Sequence, residues 1–228
     1  MRTVIFDLDG TLMDTSGDLI AAANACFRDL GHGDLLRPET DKAIAHRGAR
    51  AMLRAGLGRV EIEDEDLVDR QYQPLLDHYG EAICVHSTFY PGAIEVADTL
   101  RARGIRVGIA TNKPEWLADK LLRAVGLREH FGPLVGADTL ETRKPDPLHF
   151  WEAVDRAGGD RLQAVLVGDT ETDRETARRA DAPSILVAFG PEGRGIERLS
   201  PDALLEHFDD LPDLFDGLML RNGARRVS

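Results

Sequence analysis

Cysteine is nearly absent from the 228 residues: Cys26 and Cys84 stand alone in separate segments. No CxxC, HxxxH or Cys/His cluster occurs. That argues against a structural zinc site, and spacing alone leaves one disulfide open, but two free buried thiols in a reducing cytoplasm are expected. Long apolar runs are missing too. None approaches the 18 residues of a membrane span, and the acidic Asp7-Leu8-Asp9 soon after Arg2 leaves no room for a secretory h-region, so a cytoplasmic protein is expected. Positive charge is in deficit, with 28 Lys plus Arg against 40 Asp plus Glu and a net charge of −12. A general nucleic-acid binder needs a basic footprint and is excluded. Lysine itself is scarce, four residues against 24 arginines, which makes each lysine worth locating.

What is present is an ordinary globular composition, 43% hydrophobic and 30% charged. The length suits one large domain, or a core with a small partner, able to bury its own apolar core. Short apolar runs at 3–8, 106–111, 133–137, 164–168 and 184–189 read as buried strands of a parallel sheet. Helical patterns at 93–103, 114–125, 147–157 and 171–180 lie between them, three followed by Gly104, Gly126 and Gly158 in the left-handed capping place. This alternation predicts an α/β fold with a doubly wound, Rossmann-like parallel sheet. Residues 14–88 interrupt it, with no strand-like run. Helices are expected at 18–30, 38–45, 49–56 and 64–80, the last interrupted or kinked near Pro74. The expected organisation is a core of 1–13 and 89–228 carrying an inserted all-helical domain, 14–88, with a polar, frayed tail at 221–228.

Ligands of an open parallel sheet bind beyond the carboxyl ends of its strands. The first strand delivers Asp7, Asp9, Gly10 and Thr11 there, the second Thr111 and Asn112, and a later one Asp169 with Asp173 one helical turn on. A loop adds Arg143 and Lys144. Four acids, two hydroxyls, an amide and a lysine on one rim are the layout of phosphoryl transfer built on Mg²⁺. Mg²⁺ takes oxygen ligands and few carboxylates, which suits Asp7, Asp169 and Asp173. Lys144 supplies a point charge, while Thr111 and backbone amides near Gly10 and Asn112 hold phosphate oxygens. An aspartate can carry a covalent phosphoryl group, and a second carboxylate can serve as acid, then base. Residues i and i+2 of a strand share a face, so Asp7 and Asp9 are expected to enter one site.

FDLDGTLMD, Thr111 in IATN, Lys144 in RKPDP and GDTETD at 168–173 resemble, in order and spacing, the four motifs of the haloacid dehalogenase-like hydrolase superfamily. The likeness runs from residue 3 to about 190 and is nearest the phosphoglycolate phosphatase-like subgroup. The resemblance implies a helical cap at 14–88, Asp7 as nucleophile, and Asp9 as general acid/base with its carbonyl on Mg²⁺. It further implies Thr111 on the phosphoryl group, Lys144 beside Asp7, and Asp169 and Asp173 on the metal, Asp173 directly or through water. Thr170 stands where serine is common. Asp181 stands where glycine is common, which bears on the turn after the helix and not on the chemistry.

The implied enzyme is a phosphoric monoester hydrolase acting on a small phosphorylated metabolite, phosphoglycolate first, as a monomer or homodimer without nucleic-acid or membrane partners. A phosphomutase of the β-phosphoglucomutase type keeps the same core residues and stays open, as does a non-catalytic binding member. In the insert, Arg47 either clamps a substrate carboxylate or belongs to a solvated surface, and Arg50 reads the same way. His46, Phe89, Tyr90 and Trp116 read as surface or packing residues, and Lys42 is not singled out.

Overall fold

A computed structural model describes residues 1–225. Its elements follow the chain as β1 (Thr3–Phe6), β2 (Met13–Asp14), α1 (Ser16–Asp29), α2 (Lys42–Ala45), α3 (Ala49–Gly58), α4 (Glu65–Glu81), β3 (Thr88–Phe89), α5 (Ala93–Ala102), β4 (Arg106–Ala110), α6 (Glu115–Ala124), β5 (Leu134–Val135), α7 (Pro147–Arg156), β6 (Ala164–Gly168), α8 (Glu171–Arg179), β7 (Ser184–Val187), β8 (Ala203–Leu205) and α9 (Leu211–Arg225). The chain divides into two compact units, Met1–Met13 with the chain from Phe89 onward, and Asp14–Thr88. No helix among the described residues is long and apolar enough to cross a membrane.

The first unit is built on a six-stranded sheet in the order β5-β4-β1-β6-β7-β8, every pairing parallel. β1 lies inside it, with Thr3 to Phe6 matched to Arg106–Ile109 of β4 on one side and to Ala164–Val167 of β6 on the other. Apolar side chains are needed on both faces of such a strand, and Val4, Ile5 and Phe6 are wholly buried. Each is worth roughly 1.5–3 kcal/mol of burial. Helices α5 to α8 return the chain between parallel strands. Gly104, Gly126 and Gly158 take φ of 72°, 72° and 67° after α5, α6 and α7. Asp181, standing where glycine was the resembling residue, adopts the same left-handed turn after α8 with φ 50°.

Several expectations need correction. β6 matches its expected run, 164–168, but the other strands are shorter than theirs, and β1 stops at Phe6 instead of continuing to Leu8. Asp7 and Asp9 therefore lie in the loop beyond β1, so strand alternation is not what brings them together. A sixth strand, β8, lies in the polar stretch SPDALLEH, where only Leu205 of the three strand residues is fully buried. Of the tail, Arg221–Arg225 belongs to α9, and residues 226–228 lie outside the described residues.

In the second unit α1, α3 and α4 pack on one another through Ile20, Phe27, Met52, Leu53, Leu57, Leu75 and Tyr79. α4 runs unbroken through Pro74, which forfeits one backbone hydrogen bond but sits beside the buried Leu75 and Leu76. The helix expected at 38–45 shrinks to Lys42–Ala45. Asp41 explains the loss. Its buried carboxylate accepts from the Arg37 N–H at 2.6 Å and from the Arg59 guanidinium at 2.7 and 2.8 Å, holding the preceding residues in a turn.

Candidate active site

Three strands end one residue before a residue of the site. Asp7 follows β1, Thr111 follows β4 and Asp169 follows β6. Because these strands are neighbours in the sheet, the three meet at its carboxyl edge. Asp173, in the first turn of α8, and Lys144, in the loop after β5, join them. Asp7, Thr111, Lys144, Asp169 and Asp173 are all buried.

Lys144 is the hub. Its Nζ lies 3.1 Å from Asp7 Oδ1 and donates to Asp173 Oδ1 at 2.6 Å. Burial alone would pull this lysine's pKa down, but the Asp173 and Asp7 carboxylates hold it above the ordinary lysine range. Asp7 shows the reverse balance. Burial, reinforced by the charges of Asp173 and Asp9, pushes it up to about 6 against the pull of Lys144. Asp169 is raised as well, by burial and then by Asp173 and Asp7. Negative charge is therefore in excess: the four carboxylates of Asp7, Asp9, Asp169 and Asp173 face the two ammonium groups of Lys113 and Lys144.

One carboxylate oxygen from each of Asp7, Asp169 and Asp173 lies within 4.8 Å of the others. An oxygen-only, buried and under-neutralised donor set is the chemistry of a hard divalent cation. The three carboxylates are not equivalent. Asp173 Oδ2 accepts from the main-chain N–H groups of Asp169 and Thr170 and from the Thr170 hydroxyl, at 3.2, 3.1 and 2.6 Å. Its Oδ1 accepts from Lys144. Together with the Asp173 N–H donating to Thr170 Oγ1, this is a capping box at the start of α8. Asp7 and Asp169 each have one oxygen tied, Asp7 Oδ1 by the Leu8 N–H at 2.8 Å and Asp169 Oδ1 by the Thr11 hydroxyl at 2.7 Å.

The remaining expected residues take other places. Gly10 has φ 85°, and its N–H donates to the Met13 carbonyl at 2.7 Å, so it contributes the tight turn while its amide is already engaged. Asn112 is exposed, and its side chain donates to the Lys144 carbonyl at 3.0 Å, tying the β4 loop to the lysine's own backbone. The Thr111 hydroxyl accepts from the Lys113 N–H at 3.2 Å. Arg143 is exposed. Arg47 belongs to the second unit, exposed between α2 and α3. There Arg50 lies over the Tyr72 ring at 4.0 Å and donates to Asp69 at 2.9 Å.

Two residues of the site went unassigned from the sequence. Thr11 lies inside the first motif, but its partner Asp169 is 158 residues away. Lys113 is buried, and its Nζ donates to both Asp9 oxygens, at 3.0 and 3.1 Å. Its signal was available: one of only four lysines directly follows Thr111-Asn112.

A model of the haloacid dehalogenase-like hydrolase family matches residues 4–187. A phosphoglycolate phosphatase of Agrobacterium fabrum is 37% identical over 226 residues, covering 96% of this chain and 95% of its own. One from Rhodospirillum rubrum is 36% identical over 219 residues, covering 93% and 90%. Among solved structures, a predicted phosphoglycolate phosphatase from Haemophilus somnus superposes with a TM-score of 0.82 at 25% identity, covering 94% of this chain and 97% of that one.

Proposed function

The chain belongs to the haloacid dehalogenase-like hydrolases, and we propose that it is a Mg²⁺-dependent phosphatase passing a phosphoryl group from a small phosphomonoester to Asp7 and then to water. It is a phosphoric monoester hydrolase, as its similarity to phosphatases along nine-tenths of its length supports. Phosphoglycolate is the leading substrate, on the names those relatives carry. The observation that carries the reading is the buried cluster of Asp7, Asp169 and Asp173, with Lys144 bridging Asp7 and Asp173.

Asp7 is the nucleophile. Leu8 N–H and Lys144 hold its Oδ1, which leaves Oδ2 to form the bond to phosphorus. A carboxyl group with a pKa of about 6 is mostly ionised at neutral pH and so able to attack. As the bond to the leaving oxygen breaks, the Asp9 carboxyl gives its proton to the departing alkoxide. In the second half, water attacks phosphorus, Asp9 takes the water's proton, and the bond between Asp7 and phosphorus breaks. The Thr111 hydroxyl and the Lys144 ammonium hold the phosphoryl oxygens between the two steps. The Asp7 and Asp169 carboxylates would hold Mg²⁺, with Asp173 fixing Asp169 and Lys144 behind them, and the bound ion would neutralise charge on the transferring group.

The test is phosphate release from 2-phosphoglycolate. Turnover is expected with Mg²⁺, to stop with EDTA, and to return when Mg²⁺ is restored in excess. Turnover that persists in EDTA contradicts the metal assignment.

A further inference from the structure

Lysine is costly to bury, and a second buried lysine beside Lys144 asks for a purpose. Lys113 has a side chain only 3% exposed. Its backbone is fixed on both sides, the N–H donating to Thr111 Oγ1 at 3.2 Å and the carbonyl accepting from the Ala137 N–H at 3.0 Å. Freedom is left to the side chain alone, and that side chain is spent on Asp9. The ammonium reaches both carboxylate oxygens at nearly equal distance, 3.0 and 3.1 Å. Asp9 is the more open partner, its side chain 20% exposed.

We propose that Lys113 is a positioning residue for Asp9, fixing the direction in which the Asp9 carboxyl presents its proton. The inference rests on Asp9 being the acid and base of the proposed reaction. Its basis is the donor inventory: an ammonium has three donors and no acceptor. When Asp9 carries a proton, that proton cannot sit on the lone pairs turned to Lys113 on either oxygen, so the O–H must point away from the ammonium. The leaving alkoxide takes that proton as its bond to phosphorus breaks. When Asp9 is ionised, the same grip holds both oxygens in one orientation while water loses its proton to a lone pair directed away from Lys113. Lys113 thus touches neither substrate nor phosphorus in this role and acts through Asp9. It also accounts for the second member of the lysine pair: Lys144 sets the nucleophile, and Lys113 sets the acid.

A merely structural lysine would lower turnover of every substrate alike. A lysine that orients the acid matters most where the leaving group needs a proton. The experiment compares kcat/KM, which reports the steps up to release of the alcohol, for 2-phosphoglycolate and for p-nitrophenyl phosphate, whose phenolate leaves unaided. Lys113→Met is expected to lower the ratio of the two at least tenfold, Lys113→Arg to recover most of it, and Asp9→Asn to lower it at least as far as Lys113→Met. An equal loss on both substrates in Lys113→Met, with the ratio falling in Asp9→Asn, overturns the proposal and leaves the reaction scheme standing. An unchanged ratio in Asp9→Asn overturns the acid role of Asp9 and the proposal with it. Should Lys113→Met fold poorly, the double variant with Asp9→Asn gives a second reading. Removing both charges is expected to raise the Tm above that of Lys113→Met, since an unpaired carboxylate is then no longer left behind. A double variant no more stable than Lys113→Met contradicts the pairing.

Discussion

Two of the four lysines stand in the site, Lys144 against Asp7 and Asp173 and Lys113 against Asp9, and a third buried basic side chain, His149, lies within reach of the Lys144 charge. His149 is wholly buried in the first turn of α7, with Nε2 2.9 Å from the Gly136 carbonyl. That contact makes Nε2–H the donor, and Nδ1 has no partner. Charging the ring would add a buried donor with nothing to receive it, and burial holds its pKa down at about 4, against an ordinary 6.5. The sign follows from proton counts. Between pH 6.5 and 4 the unfolded chain binds the proton and the folded one does not, so His149 costs stability as pH falls through that window. In urea unfolding, the wild type is expected to lose roughly 2 kcal/mol more than His149→Gln between pH 7 and 4.5. Parallel losses would remove the assignment. Residues such as Asp7, Lys144 and Asp169 were legible because each sits in a short motif that carries its own chemistry. Thr11 was placed on the rim without its role, and Lys113 and His149 were not singled out, because what defines all three is a partner far along the chain, or the want of one.

At the scale of elements, the order of strands and helices was legible from apolar runs and their breaks, and the ends of the elements were not. β8 lacks the signal, being three residues in a polar stretch, whereas α9 carried one that went unread, with Leu211, Leu214, Phe215 and Leu218 at helical spacing. Close approach is equally hidden. A Cβ on Gly168 would lie 2.3 Å from Asp173 Cγ, so β6 ends on the one residue that lets the α8 capping box close over it. In the helical unit, Asp18 looks like a routine first-turn acid of α1. Its buried carboxylate instead accepts from the N–H groups of Val85, His86 and Ser87 and from the Ser87 hydroxyl, the shortest at 2.6 Å. It fastens the first turn of α1 to the segment before β3. Asp18→Ala leaves three main-chain donors without their acceptor and is expected to cost about 3 kcal/mol. The urea midpoint should fall while the slope stays constant. A change under about 0.5 kcal/mol would show that water replaces the carboxylate at no loss.

For the molecule as a whole, a net charge of −12 argues against anionic ligands, yet the proposed substrate is an anion. The conflict dissolves at the carboxyl edge of the sheet. On the proposed reading, four acids and two lysines make a net charge of about −2 that suits a cation, and a bound divalent ion would cancel the local excess. Global charge therefore bears on bulk partners such as nucleic acid, while the site answers to its own few groups. The central claim is that phosphate passes through Asp7. It is tested most directly by quenching the enzyme in acid during turnover of 2-phosphoglycolate with Mg²⁺, reducing with borohydride, and mapping peptides by mass spectrometry. An acyl phosphate is reduced to an alcohol, so the account predicts homoserine at position 7 in the wild type and none in Asp7→Asn. Undiminished phosphate release with Asp7 unmodified, or homoserine at another aspartate, would contradict it.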